Sequence, residues 1–217
     1  MTDARERIED IRSSYELDRL SEDGLAPTWL EQFEDWLEAA LGSGMPEPSS
    51  MVLATAAADG APGARAVLLR GVDGSGFRFH TDYRSRKALE IEENPRATLV
   101  FPWFHQQRQV VVDGDVERLG PEESDEYFAT RPRRSRISAV ASVQSRPIES
   151  RAWLEERFAA VEREHEGDDV RRPEHWGGYL VVPRAVEFWQ GRRDRLHDRL
   201  RYRRTAGGAW VVERLAP

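Results

Sequence analysis

The 217-residue sequence contains no cysteine. That excludes a disulfide framework, a thiolate metal site and a thiol nucleophile. No apolar run reaches the roughly 20 residues a membrane-spanning helix needs. The opening stretch MTDARERIEDIRSSYELDRL is too charged for a signal peptide. The expectation is a cytoplasmic protein with no membrane partner. HExxH, GxSxG and the Walker phosphate loop are all missing, so metalloprotease, serine-hydrolase and P-loop NTPase chemistry have no support and no metal site is expected. The net charge of −7 argues against a general nucleic-acid partner. No internal repeat, low-complexity tract or linker divides the chain, so a single domain over 1–217 is expected, with 1–20 as a mobile N-terminal arm.

Hydrophobic residues make up 39% of the sequence, with seven tryptophans, enough for a substantial core. From Thr28 to Leu41 the apolar residues Trp29, Phe33, Trp36, Leu37, Ala40 and Leu41 recur at steps of three and four. They predict an amphipathic helix opened near Pro27 and stopped at Gly42. Strands follow over 51–56, 64–70 and 77–81, separated by turn signals at Asp59-Gly60 and over Gly71–Gly76. Ser85 is placed to cap a short helix that Pro95 closes. Residues 96–103 and 109–119 read as two more strands. Pro121 opens a helix with acidic residues in its first turn, and Arg131-Pro132 ends it. Ser135 is placed to begin another, to about Ser142, and 149–164 forms an amphipathic helix. Strands over 178–182, 185–189, 199–204 and 210–215 close the chain. Many short antiparallel strands with interspersed helices predict a barrel-centred α+β fold, mainly β.

The stretch EFWQGRRDRLHDRLRY, 187–202, places Arg195, His197 and Arg199 two residues apart. In an extended strand the three share one face, which suits an anion because Arg offers a fixed fork and His titrates near neutrality. A solvated edge strand explains the same spacing. Arg65 and Arg70 flank AVLL with opposite parity, which in a regular strand sends them to different pockets. Ser85, Arg86 and Lys87 sit at a helix start, where free N–H groups bind anions. Tyr127, Arg131 and Ser135 form a further set around a helix break, and Gln144-Ser145 follows the next helix. Each alone is compatible with a solvated surface; together they point to at least two phosphate-bearing ligands.

The ordered segments RAVLLR (65–70), FHTDYRSRKA (79–88), FPW (101–103), RQVVVDGDVERL (108–119), YFATRPRRSRISAVAS (127–142), QS (144–145), EFWQG (187–191) and RLHDRLRY (195–202) resemble the pyridoxine/pyridoxamine 5′-phosphate oxidase family over nearly the whole chain. RSSY (12–15) and the terminal ERLAP (213–217) fit as well. The resemblance implies a split β-barrel homodimer binding FMN. It implies oxidation of a phosphorylated B6 vitamer at its 4′ carbon, with hydride transfer to the flavin and dioxygen reduced to hydrogen peroxide. It places cofactor contacts on Arg65, Ala66, Val67, Leu68, Leu69, Arg70, His80, Thr81, Arg86, Lys87, Gln109, Gln144, Ser145, Trp189 and Arg199. It places substrate contacts on Arg12, Tyr15, Arg70, Tyr127, Arg131, Ser135, Arg195 and His197, with Arg195 and His197 catalytic. The chain departs from the family pattern at Arg70, usually Lys, at His80, usually Tyr, and in RISAVAS, where a Gly and an aromatic are usual. A related flavin oxidase of a dihydrophenazine-type ring shares the RLH-x-RLRY ending, and a non-catalytic flavin- or haem-binding split barrel is a third reading. The intact YFATRPRRS segment favours the B6 phosphate.

Overall fold

The computed structural model describes residues 15–167 and 169–217. Nine strands and five α-helices form along these residues. The strands are β1 (Ser50–Ala56), β2 (Pro62–Leu68), β3 (Gly71–Asp73), β4 (Gly76–Asp82), β5 (Arg96–Trp103), β6 (Arg108–Arg118), β7 (Trp176–Gln190), β8 (Asp198–Arg204) and β9 (Trp210–Arg214). The helices are α1 (Trp29–Gly42), α2 (Arg86–Glu93), α3 (Pro121–Thr130), α4 (Arg133–Ala141) and α5 (Arg151–Glu164). The mainly β, α+β class expected from the sequence is what the chain adopts.

The chain forms two compact units, and β5, β6 and β7 contribute to both. The larger unit comprises Ser49–Phe101 and Val112–Arg184. Its strands follow the order β2-β1-β5-β6-β7-β4-β3. β1 and β2 pair antiparallel from Ser50↔Leu68 to Ala56↔Pro62. Burial alternates along β1, so Met51, Leu53 and Thr55 face inward. Phe77, Phe79, Leu99, Phe101, Tyr179 and Val181 complete a core almost sealed from solvent. Phe79 stacks on Tyr179 with centroids 5.5 Å apart. A second cluster joins Ile137 and Ala141 of α4 to Val161 of α5 and Val170.

The other unit comprises the described residues up to Pro48 together with Pro102–Val111 and Ala185–Pro217. Thr28 and Glu31 form a reciprocal capping box that starts α1. The helix buries Trp29, Phe33, Trp36 and Ala40. Phe33 meets Trp103 at 5.7 Å and Trp36 meets Phe188 edge-on at 5.2 Å. In this unit the end of β7 pairs with β8, and β8 with β9. Gly191 lies under the Tyr15 ring, where an added Cβ would come within 2.8 Å of the side chain.

Several local expectations need correction. The strands read over 178–182 and 185–189 are one, β7. Pro183 does not break it, because it falls between residues paired to β4 (176–181) and residues paired to β8 (185–190), where a missing N–H breaks no bond to either. The strand read over 64–70 ends at Leu68, and a short β3 follows. Ser85 occupies the cap position of α2, but its hydroxyl caps no backbone N–H; it accepts from Lys87 Nζ instead, at 3.3 Å. Helix α4 begins at Arg133 after Pro132, so Ser135 lies inside its first turn.

The stretch holding Arg195, His197 and Arg199 is not one strand. Arg193–Arg195 forms a 3-10 turn in which Asp194 and Arg195 have φ of 56° and 60°. Only Arg199 lies in β8, so the two-residue periodicity does not give the three side chains a shared strand face.

Candidate active site

In the larger unit a cavity of about 310 Å³ opens beside the sheet. β2 lines it with Arg65, Ala66, Val67 and Leu68, and the segment after β2 adds Arg70. β4 contributes His80 and Thr81, and α2 contributes Lys87. Tyr127 of α3, Arg131 at its C-terminus, Gln144 and Trp176 complete the wall. Arg65 and Arg70 thus serve one cavity, against the parity expectation, because β2 stops between them. The lining holds Arg65, Arg70, Lys87 and Arg131 and no carboxylate. Leu69 is buried and stands outside the lining.

Lys87 is buried at 8% exposure. Its Nζ donates to Gln144 Oε1 at 2.9 Å, Thr81 Oγ1 at 3.1 Å and Ser85 Oγ at 3.3 Å. These are neutral acceptors, so the ammonium keeps its charge without a carboxylate in contact. Burial pushes its pKa down to about 8 and Arg65 pushes the same way, while Asp82 and Glu90 oppose them.

His80 stacks on Tyr127 with centroids 3.9 Å apart and planes 16° apart, and lies parallel to Trp176 at 5.3 Å. Both its ring nitrogens are buried without a protein partner. Burial, then Arg131 and Arg70, depress its pKa to about 4, so the ring is neutral at pH 7. The Arg131 guanidinium lies 4.6 Å from the Trp176 ring centroid, and its buried Nη1 has no protein acceptor. A buried cationic donor without an acceptor is costly unless something anionic meets it. Arg131, Arg70 and Lys87 converging on one cavity therefore fit a phosphate monoester, whose oxygens accept charge-assisted hydrogen bonds.

Gln144 also lines a second cavity of about 370 Å³, with Ser145, Arg84, Arg86 and Arg146. Arg86 points there rather than into the first cavity, its side chain 63% exposed and paired to Glu90. Ser145 takes a left-handed conformation, φ 69°. Ser135 is half-buried and lines neither cavity.

The other unit gathers Tyr15, Trp189 and His197. Their centroids lie 5.9 Å apart for Tyr15–Trp189, 5.7 Å for Tyr15–His197 and 4.6 Å for Trp189–His197. The Arg192 backbone N–H donates to His197 Nδ1 at 3.1 Å. Nδ1 is therefore the unprotonated nitrogen of the neutral ring, and Nε2 carries the hydrogen. Burial, then Arg195, lowers the His197 pKa. Arg195 itself is exposed. Arg199 gives both arms of its fork to Glu187, at 2.7 and 3.1 Å, and its Nη1 to the Ala216 carbonyl. Gln109 is half-buried on β6. Arg12 lies outside the described residues.

Sequence reasoning missed Trp176, which carries Arg131; an isolated tryptophan at a strand start has no pattern to mark it. It also missed Gln107, whose side chain accepts the N–H groups of Glu16 and Leu17 at 2.9 and 3.2 Å. Glu187, the partner of Arg199, was missed as well. Among the described residues no cluster of His, Asp and Glu could hold a metal ion, and no helix is long and apolar enough to cross a membrane.

These strands and helices define a class first: the split β-barrel. PhzG from Burkholderia lata, solved in complex with tetrahydrophenazine-1-carboxylic acid, superposes with a TM-score of 0.86 at 30% identity, covering 93% of this chain and 99% of that one. A pyridoxamine 5′-phosphate oxidase-related, FMN-binding protein of Nostoc punctiforme has the same fold at a TM-score of 0.72 and 20% identity, covering 89% of this chain and 100% of that one. Residues 37–164 match the family model described as pyridoxamine 5′-phosphate oxidase, and residues 176–217 match the pyridoxine 5′-phosphate oxidase C-terminal dimerisation region. The chain is 53% identical to the pyridoxine/pyridoxamine 5′-phosphate oxidase of Rubrobacter xylanophilus, over 99% of this chain and 98% of that protein. It is 51% identical to the Salinibacter ruber protein of the same name, over 97% and 99%. The chain belongs to the pyridoxine/pyridoxamine 5′-phosphate oxidase family.

Proposed function

We propose that the protein is an FMN-dependent oxidase that converts pyridoxine or pyridoxamine 5′-phosphate to pyridoxal 5′-phosphate, reducing dioxygen to hydrogen peroxide, and that it works as a homodimer and as a single FMN-binding domain. The observation that carries this reading is the cavity lined by Arg65, Arg70, Lys87 and Arg131 without a carboxylate. Bound FMN supplies hydride acceptance and reoxidation by dioxygen. The fit of a phosphorylated flavin rests on the donor set: Lys87, Thr81 and Gln144 already form one hydrogen-bonded group. The match of residues 176–217 to a dimerisation region supports the homodimer.

On the substrate side, Arg131, Arg70 and Tyr127 hold the phosphate, with Ser135 and Arg12 as further contacts. Arg131 arrives pre-oriented by its stack on Trp176, so little side-chain entropy is lost on binding. Arg70 in place of the usual Lys keeps the charge but offers a planar fork. Arg195 supplies positive charge beside the reacting ring. His197 offers a hydrogen-bond donor at Nε2, because its Nδ1 is occupied by the Arg192 N–H. Such a ring orients a substrate rather than acting as a strong base. Tyr15 and Trp189 pack against that imidazole and fix its plane. Trp189, Gln109, Arg86, Ser145 and Arg199 complete the proposed cofactor contacts, with Ala66, Val67, Leu68, Leu69 and His80.

The test is to purify the protein, measure retained FMN, and follow peroxide release on adding pyridoxamine 5′-phosphate and, separately, pyridoxamine. Yellow protein that turns over only the phosphorylated amine supports the reading. Colourless protein that binds no added FMN overturns it.

A further inference from the structure

Glu90 of α2 is a buried carboxylate, 5% exposed, that stands outside the lining of the cationic cavity and lines the second cavity beside Arg86. Its Oε2 accepts from Thr55 Oγ1 of β1 at 2.5 Å and from Arg65 Nη2 of β2 at 2.9 Å. Its Oε1 accepts from Arg86 Nε at 2.6 Å. Arg65 Nη1 also donates to Thr55 Oγ1 at 2.5 Å and to the Leu53 carbonyl at 3.4 Å. The Arg65 head is thus turned back into the protein, and α2 is clamped to β1 and β2 through one carboxylate. The fit leaves no room above Gly63. A Cβ there would lie 2.5 Å from Arg65 Nη2 and 2.8 and 2.9 Å from the Glu90 oxygens. Burial by itself raises the Glu90 pKa, but hydrogen bonds from Thr55, Arg65 and Arg86 outweigh it and hold the carboxyl below its usual range.

From this geometry we infer that Glu90 is a positioning residue for phosphate binding: it fixes where Arg65 points beside the cavity, and it places its negative charge one helical turn from Lys87. The inference rests on the flavin-phosphate reading of the cavity and adds a residue to it. The charged groups acting on Lys87 are Arg65 from β2, Asp82 from β4 and Glu90 from its own helix. Arg65 disfavours the ammonium, and Asp82 and Glu90 favour it. Deleting a carboxylate near an anion site should, on charge alone, strengthen anion binding. If Glu90 positions the cations, deleting it weakens binding.

The experiment titrates apoprotein with FMN by flavin fluorescence, and with pyrophosphate by calorimetry, across pH 6.5–9, with apoprotein melting recorded alongside. Glu90→Gln should raise both Kd values by about tenfold, the worth of one lost charge-assisted hydrogen bond. It should also move the pH at which affinity falls to a lower value, because Lys87 loses a neighbouring anion. Glu90→Asp keeps the charge but is too short to span Arg65 and Arg86. It should lose several-fold in affinity with the pH profile in place, and it carries the test if the Gln variant does not fold. Wild-type or tighter affinity in a folded Glu90→Gln or Glu90→Asp protein overturns the inference, as does an unchanged pH profile in Glu90→Gln. A wild type that binds pyrophosphate but not FMN would overturn the flavin reading instead, and the pyrophosphate ratio between variant and wild type would still judge Glu90.

Discussion

Replacing Arg131 by Met separates a binding role from a structural one, because the two predict opposite signs. In the ligand-free protein the guanidinium is half-buried, its Nη1 meets no acceptor, and its charged neighbour in the cavity is Arg70. Removing an unsatisfied buried donor recovers about 1–3 kcal/mol. Losing the stack on Trp176, 4.6 Å from the ring, forfeits about 0.5–2 kcal/mol. The unbranched Met side chain fills much of the vacated space. The two ranges together span about −1 to +2.5 kcal/mol and their midpoints favour the variant by about 0.75 kcal/mol, an apoprotein Tm near unchanged or raised by a few degrees. Substrate binding moves the other way. One charge-assisted hydrogen bond to phosphate is worth about 1.5–3 kcal/mol, so kcat/KM for pyridoxamine 5′-phosphate should fall about 10- to 150-fold. The phosphate is remote from the reacting carbon, so the loss falls mainly on KM. The assays are steady-state peroxide release, flavin content and calorimetric melting of the apoprotein. A variant with wild-type KM, or one that melts several degrees lower and sheds its flavin, would refute the reasoning.

Three further outcomes follow from the same geometry. Lys87 carries a pKa near 8 in the free protein, and an anion needs it protonated, so FMN affinity should fall as pH rises through about 8, by up to about tenfold per unit; Lys87→Met should flatten that dependence in a fluorescence titration, and an unchanged slope would contradict it. His80 is neutral in the fold down to about pH 4 but takes a proton near 6.5 when unfolded, so apoprotein stability should rise with pH between those values; His80→Phe should shrink that slope in denaturant melts at a series of pH values. Arg195→Leu should lower kcat/KM strongly with FMN affinity little changed, and His197→Asn should cost less, since an imidazole occupied at Nδ1 orients rather than abstracts; a silent Arg195→Leu would remove that residue from the reaction.

The regular elements were legible because their signals are local. The apolar steps of α1, the Pro121 start of α3 and its end before Pro132 are written in neighbouring residues, and the structure has them there. The cationic sets were legible by type for the same reason. What escaped depends on distant pairing. The strands read over 178–182 and 185–189 join into one only once the pairing partners on either side are known. Arg65 and Arg70 looked divided by parity until β2 proved to end between them. Arg195, His197 and Arg199 looked like one strand face, but two positive-φ residues turn the chain just before β8, and neither is a glycine that would have flagged it. The partners that decide which arginines are free, Glu187 for Arg199 and Glu90 for Arg65, are acidic residues among many, and only Glu90, four after Arg86 in a helix, left a local trace.

The most direct test of the account is an anaerobic addition of pyridoxamine 5′-phosphate to the purified, flavin-loaded protein, followed in the visible flavin band. The account predicts that the band bleaches, that one pyridoxal 5′-phosphate forms per flavin, and that admitting dioxygen restores the colour with an equivalent of hydrogen peroxide. A flavin that stays oxidised with the B6 phosphate but bleaches with a dihydrophenazine carboxylate would contradict it.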